Sequence, residues 1–115
     1  ESLLSLDYFG IEGQEKISRI MANFRNLSDK TIAGNEIAEV RDYSLGYQDL
    51  PKSDVLGFFF KNGDQFYLRP SGTEPKIKFY IMIQEKHGAL NVKKKRATEK
   101  AERILAFINE VAAKA

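Results

Sequence analysis

Residues 69–80 read Arg-Pro-Ser-Gly-Thr-Glu-Pro-Lys-Ile-Lys-Phe-Tyr. This run holds the residues of the chain best suited to grip an anion. Arg69 offers a planar fork that matches phosphate oxygens, and Ser71 and Thr73 add hydroxyl donors. Gly72 lets a ligand approach the main chain, while Pro70 and Pro75 stiffen the frame. Successive backbone N–H groups in such a turn can form a concave nest for an anion. Binding is the chemistry on offer, with no bond-breaking group among these residues. The same composition also suits a plain connection between two strands, since Ser, Thr, Gly and Pro favour turns for local reasons. No Gly-Lys-Ser/Thr follows at Walker spacing. No helical pattern opens after the loop, as a dinucleotide fingerprint requires.

The elements that must position this loop are legible in the flanking patterns. Lys76 to Glu85 alternates, with Ile77, Phe79, Ile81 and Ile83 against Lys78, Tyr80, Met82 and Gln84, which predicts a strand whose first set faces helices. The second set is only half polar, so that face is expected to be partly covered in the intact protein. Val55 to Lys61, with three consecutive phenylalanines, and Asp64 to Arg69 read as a hairpin around Asn62-Gly63. A type I′ turn is expected there, with positive φ at both residues. Thr31 to Tyr43 reads as one more strand, kinked or turned near Gly34-Asn35. Ser44 to Ser53 is a loop, in which Tyr47 is expected to cover the sheet edge. Leu3 to Phe9 is a possible first strand with Leu4, Leu6 and Tyr8 on one face.

Two helices complete the pattern. Ile17, Ile20, Met21, Phe24 and Leu27 recur at helical spacing, giving a helix over Gln14 to Asn26. Ala97, Ala101, Ile104, Leu105, Ile108, Val111 and Ala112 mark a second, from a cap at Asn91 to Ala113. The fold class that follows is α+β. It comprises an antiparallel four-stranded sheet, with an optional N-terminal edge strand, and two helices on one face.

The string Arg69 to Lys78 closely resembles the phosphate-binding loop in the C-terminal domain of the α-D-phosphohexomutases, in the phosphoglucomutase/phosphomannomutase branch. The likeness extends through Leu50 to Leu56, the Asn62-Gly63-Asp64 turn, Lys76 to Ile83, and Tyr8 to Gly13. The resemblance implies a fold like that of the TATA-box-binding protein. It implies that residues 1–115 are one domain, the last of a four-domain enzyme that interconverts hexose 1-phosphates and 6-phosphates. Carried over by position, Arg69, Ser71, Gly72, Thr73 and Lys78 hold the phosphate that is not reacting. Many relatives have arginine where this chain has Lys78, and lysine keeps the charge but loses the bidentate fork. The family's phosphoserine, its Mg²⁺ site of several aspartates and its sugar-selecting loop lie in preceding domains. The expectation is therefore no catalytic residue, no metal site and no cofactor in this piece, with Mg²⁺ in the parent enzyme. The expected partners are a phosphosugar and the preceding domains of the same chain.

Composition sets the outer bounds. At 115 residues the chain is long enough to bury a core, and 43% hydrophobic with 30% charged residues is ordinary for a soluble protein. There is no cysteine, so neither a disulfide framework nor a thiolate metal site is available. No membrane-spanning stretch or signal peptide is evident, and a cytoplasmic location is expected. Residues 1–50 carry 5 Lys/Arg against 9 Asp/Glu, and residues 51–115 carry 13 against 7, so the half with the loop is the basic one. That asymmetry also suggests a second reading, a basic nucleic-acid-binding module using Lys93-Lys94-Lys95-Arg96 with Tyr67 and Tyr80 exposed on the sheet. Helix geometry would spread those four charges around the axis, which favours a solvated surface. His87, the only histidine, sits in an expected turn with no nucleophile or carboxylate near it in sequence.

Overall fold

The computed structural model describes residues 2–8 and 10–115. Strands β1 (Ser2–Asp7), β2 (Thr31–Ile32), β3 (Asn35–Asp42), β4 (Leu56–Phe60), β5 (Gln65–Pro70) and β6 (Lys76–Met82) form one sheet. Their order is β1-β6-β5-β4-β3-β2, and every pairing is antiparallel. Helix α1 spans Gly10–Arg25 and α2 spans Leu90–Lys114. The α+β class and the two helices agree with the expectation. The strand count does not: the sheet has six strands. The N-terminal strand is present, pairing with β6 from Ser2↔Ile81 to Asp7↔Lys76. Phe9 and the side chain of Leu4 lie outside the described residues.

The remaining extra strand arises because Thr31 to Tyr43 folds back on itself. Ala33 (φ 50°) and Gly34 (φ 81°) both take left-handed angles, as a two-residue hairpin turn requires. The Asn35 amide donates to the carbonyls of Ile32 and Ala33 at 3.2 and 3.4 Å and ties the turn. The left-handed region costs an alanine about 1 kcal/mol, so an Ala-Gly pair is a weak written signal for this turn. The Asn62-Gly63 hairpin also departs from expectation. Only Gly63 has positive φ, at 94°. The Gly63 N–H donates to Phe60 O at 3.0 Å, and the Phe60 N–H to Asp64 O at 3.0 Å. This is a three-residue loop with a glycine bulge. Asn62 Oδ1 accepts from the Asp64 N–H at 2.9 Å instead of taking the left-handed position.

The apolar faces meet in one cluster. Leu56, Phe58 and Phe60 of β4, Phe66 and Leu68 of β5, and Ile77, Phe79 and Ile81 of β6 point to the helices. Ile17, Ile20 and Phe24 of α1 and Ile104 and Ile108 of α2 fill the other side. Phe24 is the hub, with ring centroids 5.7–6.2 Å from Phe58, Phe66, Phe79 and Phe107. The alternation of β6 holds through Ile81, and Ile83 is half-buried just beyond the strand. The α1 helix begins at Gly10, ahead of the expected Gln14, and Gly13 is its first buried residue. The expected cap at Asn91 is not formed. Ala89 is the N-cap, without a side-chain bond, and Asn91 Oδ1 accepts only from the neighbouring Val92 N–H.

Among the described residues, one carboxylate is buried. Asp64 accepts from the Gln84 N–H at 2.9 Å and pairs with Lys100 at 3.5 Å, and Lys100 also pairs with Glu85 at 2.9 Å. Burial alone would lower the Lys100 pKa, but the two carboxylates outweigh it and raise it. The cluster ties the β4–β5 hairpin and the end of β6 to α2.

Candidate functional site

The antiparallel register of β5 and β6 sets Arg69 opposite Lys78. Their neighbours Leu68, Ile77 and Phe79 are buried against the helices, so strand alternation places Arg69 and Lys78 on the opposite face. Beyond this pair, residues 71–75 form a tight loop. The Ser71 N–H donates to Lys76 O, and the Lys76 N–H to Glu74 O, both at 2.8 Å. Ser71 Oγ accepts from the N–H groups of Thr73 (3.4 Å) and Glu74 (3.2 Å). The hydroxyl oxygen thus sits where a nest would hold an anion, and its own proton is left to donate outward.

The loop is braced from outside. The Tyr8 N–H donates to Pro75 O at 2.8 Å. Gly13 lies beneath both residues: a Cβ there would fall 2.9 Å from Tyr8 Cβ and 3.2 Å from Pro75 Cβ. The junction between β1 and α1 is therefore packed directly on the loop. Gly72 faces open space, with nothing within 4 Å of where its Cβ would stand.

These elements enclose a cleft of about 280 Å³. Arg69, Ser71, Gly72 and Lys78 all line it, together with Pro70, Glu74, Lys76 and Tyr80. Thr73 does not line it and is exposed on the loop. The cleft thus brings together three cations and one carboxylate. Glu74 pairs with Lys76 at 3.4 Å, and Lys76 lies 4.0 Å from Asp7. Lys76 and Tyr80 were readable from strand parity, since both share the face of Lys78. A mixed set of donors with excess positive charge suits a small oxyanion.

A second cluster continues from the cleft across the outer sheet face. Tyr80 pairs in register with Tyr67, whose hydroxyl donates to Gln65 Oε1 at 2.7 Å. Tyr67 packs edge-on to Phe59 at 5.7 Å, and the Arg41 guanidinium lies 4.2 Å from the Phe59 ring and 4.6 Å from that of Tyr47. Arg41 holds Glu39 at 2.6 Å, and that bond raises its pKa most. Tyr47 therefore covers Arg41. Burial, followed by the nearby Tyr43, raises the Tyr67 phenol. Tyr67, Phe59, Arg41 and Tyr47 are thus packed on one another. In the basic run, Arg96 donates to His87 O at 3.2 Å, and His87 itself is exposed. Among the described residues, no group of three or more His, Cys, Asp or Glu side chains is placed to hold a metal ion. No helix among them is long and apolar enough to cross a membrane.

A closed Ser-Gly-Thr loop beside an Arg–Lys pair sets donors and positive charge together on the open face of a helix-backed sheet. Residues 12–99 match the family described as phosphoglucomutase/phosphomannomutase, C-terminal domain, and the chain belongs to that family. It is 39% identical over 95 aligned residues to a phosphoglucomutase of Staphylococcus aureus (strain MRSA252), covering 73% of this chain and 17% of the relative. With the phosphoglucomutase of Staphylococcus saprophyticus the figures are 38% over 92 residues, 70% and 16%. With that of Staphylococcus epidermidis (strain RP62A) they are 33% over 98 residues, 76% and 18%. The chain spans less than a fifth of the length of these relatives.

Proposed function

We propose that this chain is the substrate-phosphate-binding domain of a phosphohexomutase. The parent enzyme would interconvert hexose 1-phosphate and hexose 6-phosphate, with glucose phosphates first among candidates because the relatives are named phosphoglucomutases. The observation that carries the reading is the register pair Arg69↔Lys78 at the mouth of the closed Ser71–Pro75 loop. Arg69 and Lys78 supply charge, the Ser71 hydroxyl and the Gly72 main chain supply donors, and Thr73 contributes from the loop's outer side. The domain works by positioning. Holding the far phosphate orients the sugar, and that remote binding energy assists the reacting end. Catalytic groups and Mg²⁺ belong to preceding domains of the parent, so the chain alone is inactive as a mutase. A helix-backed antiparallel sheet supports the TATA-box-binding-protein-like reading of the fold, and the lack of cysteine suits a cytoplasmic enzyme.

The test is a ¹⁵N–¹H NMR titration of this chain with inorganic phosphate and with glucose 1-phosphate. The expected Kd is on the order of millimolar. Shifts should centre on Ser71, Gly72 and Thr73, and Arg69→Ala should weaken binding at least about tenfold. Wild-type behaviour in Arg69→Ala, or no shift at tens of millimolar, refutes the proposal.

A further inference from the structure

The cleft contains one residue whose charge is wrong for its company. Glu74 lines it beside Arg69, Lys76 and Lys78. The backbone of Glu74 builds the loop: its N–H donates to Ser71 Oγ at 3.2 Å and its carbonyl accepts from the Lys76 N–H at 2.8 Å. Its side chain does none of that work. The carboxylate is 60% exposed, and among the described residues its ion pair is with Lys76 Nζ at 3.4 Å. The loop therefore keeps its shape without the carboxylate, and a merely structural account leaves the acid unexplained.

We propose that Glu74 is a brake on the phosphate site: its carboxylate engages Lys76 in the empty cleft and opposes an incoming phosphate dianion, keeping the grip of the loop weak. This rests on the phosphate-binding reading above. Lys76 cannot turn fully to the anion while Glu74 and, 4.0 Å away, Asp7 compete for it. A weak grip has a use in the proposed reaction. A loop that takes the far phosphate of both a hexose 1-phosphate and a hexose 6-phosphate has to release one before it takes the other, and tight binding would slow that exchange. Glu74 is then a specificity-determining residue that sets release.

The test compares wild type, Glu74→Gln, Lys76→Met and the double variant by ¹⁵N–¹H NMR titration with inorganic phosphate. Glu74→Gln keeps both backbone bonds, and unshifted Tyr8 and Gly13 amides in its free spectrum verify the fold. It should bind phosphate about three- to tenfold more tightly than wild type, the effect of one solvent-screened carboxylate near a doubly charged anion. The gain should be smaller when Lys76 is already methionine, because part of it comes from the freed lysine. Wild-type binding with Glu74→Gln no tighter, or weaker, overturns the brake and leaves the phosphate reading intact. No binding by either protein overturns both. An equal gain without Lys76 overturns the part given to the lysine.

Discussion

Replacing Gly13 by alanine separates the support of the loop from its chemistry. The new methyl carbon would lie 2.9 Å from Tyr8 Cβ, 3.1 Å from Tyr8 C and 3.2 Å from Pro75 Cβ. Carbon atoms in contact prefer about 3.5–4.0 Å, so the groups must part by roughly 0.5–1 Å. None of the three atoms is the end of a flexible side chain. Relief must move the β1–α1 junction or Pro75, and overpacking of this kind costs about 1–3 kcal/mol. Alanine gains up to about 1 kcal/mol over glycine as a helix former, and less in a first turn. The net expectation is a loss of about 1–2 kcal/mol, read as a drop of roughly 5–10 °C in Tm or a lowered urea midpoint at unchanged m. The displaced Pro75 should also weaken phosphate binding several-fold. Gly72→Ala is the control, since it meets nothing within 4 Å and its φ is not in the left-handed region. It should leave Tm unchanged and weaken phosphate only because the ligand can no longer approach the main chain. If Gly13→Ala melts and binds like wild type, the brace does not position the loop.

Two further outcomes concern the scaffold. Phe24→Ala empties the centre of a five-ring cluster and should cost about 3–5 kcal/mol in urea denaturation, while an exposed change such as Ser18→Ala should cost under about 0.5 kcal/mol. Burial alone would raise the Asp42 carboxyl, but hydrogen bonds from the Ser44 side chain, Arg25 and the Ser44 N–H bring it below its usual range. A carboxyl depressed in the folded state stabilises above its unfolded pKa and loses that contribution as pH falls through the folded value. Asp42→Asn should therefore lower the urea midpoint at neutral pH and flatten its fall as pH drops below about 4, and an acid limb as steep as wild type would contradict this.

The sequence reading succeeded where one local rule acted alone. The alternation of Lys76 to Met82 predicted both faces of β6, and helical spacing found the stripes Ile17–Phe24 and Ala101–Ala112. Arg69, Ser71, Gly72 and Lys78 of the loop string line one cleft. The reading failed where tertiary context chose among local options. Ala33 accepts a left-handed angle because Asn35 ties the turn and Ile32 is buried beyond it. Asn62 spends its side chain on Asp64, which leaves the positive φ to Gly63 alone. The contact of Glu74 with Lys76 and the stacking of Arg41 between Tyr47 and Phe59 join residues whose pairing no spacing rule announces. Nothing in the spacing around Gly13 shows why a side chain is excluded there; the approach of Tyr8 and Pro75 does.

The bond from Tyr8 to Pro75 hangs the loop on an edge strand. β1 has one neighbour, β6, and lies at the rim of the sheet. Rim elements fray at far lower free energy than the centre of a sheet. Each time β1 peels from β6, Tyr8 releases Pro75 and Asp7 leaves Lys76, so the loop loosens with it. If the loop holds a phosphate as proposed, the residence time of that anion has a ceiling set by the breathing of this strand, and amide exchange at Tyr8 is a clock for both.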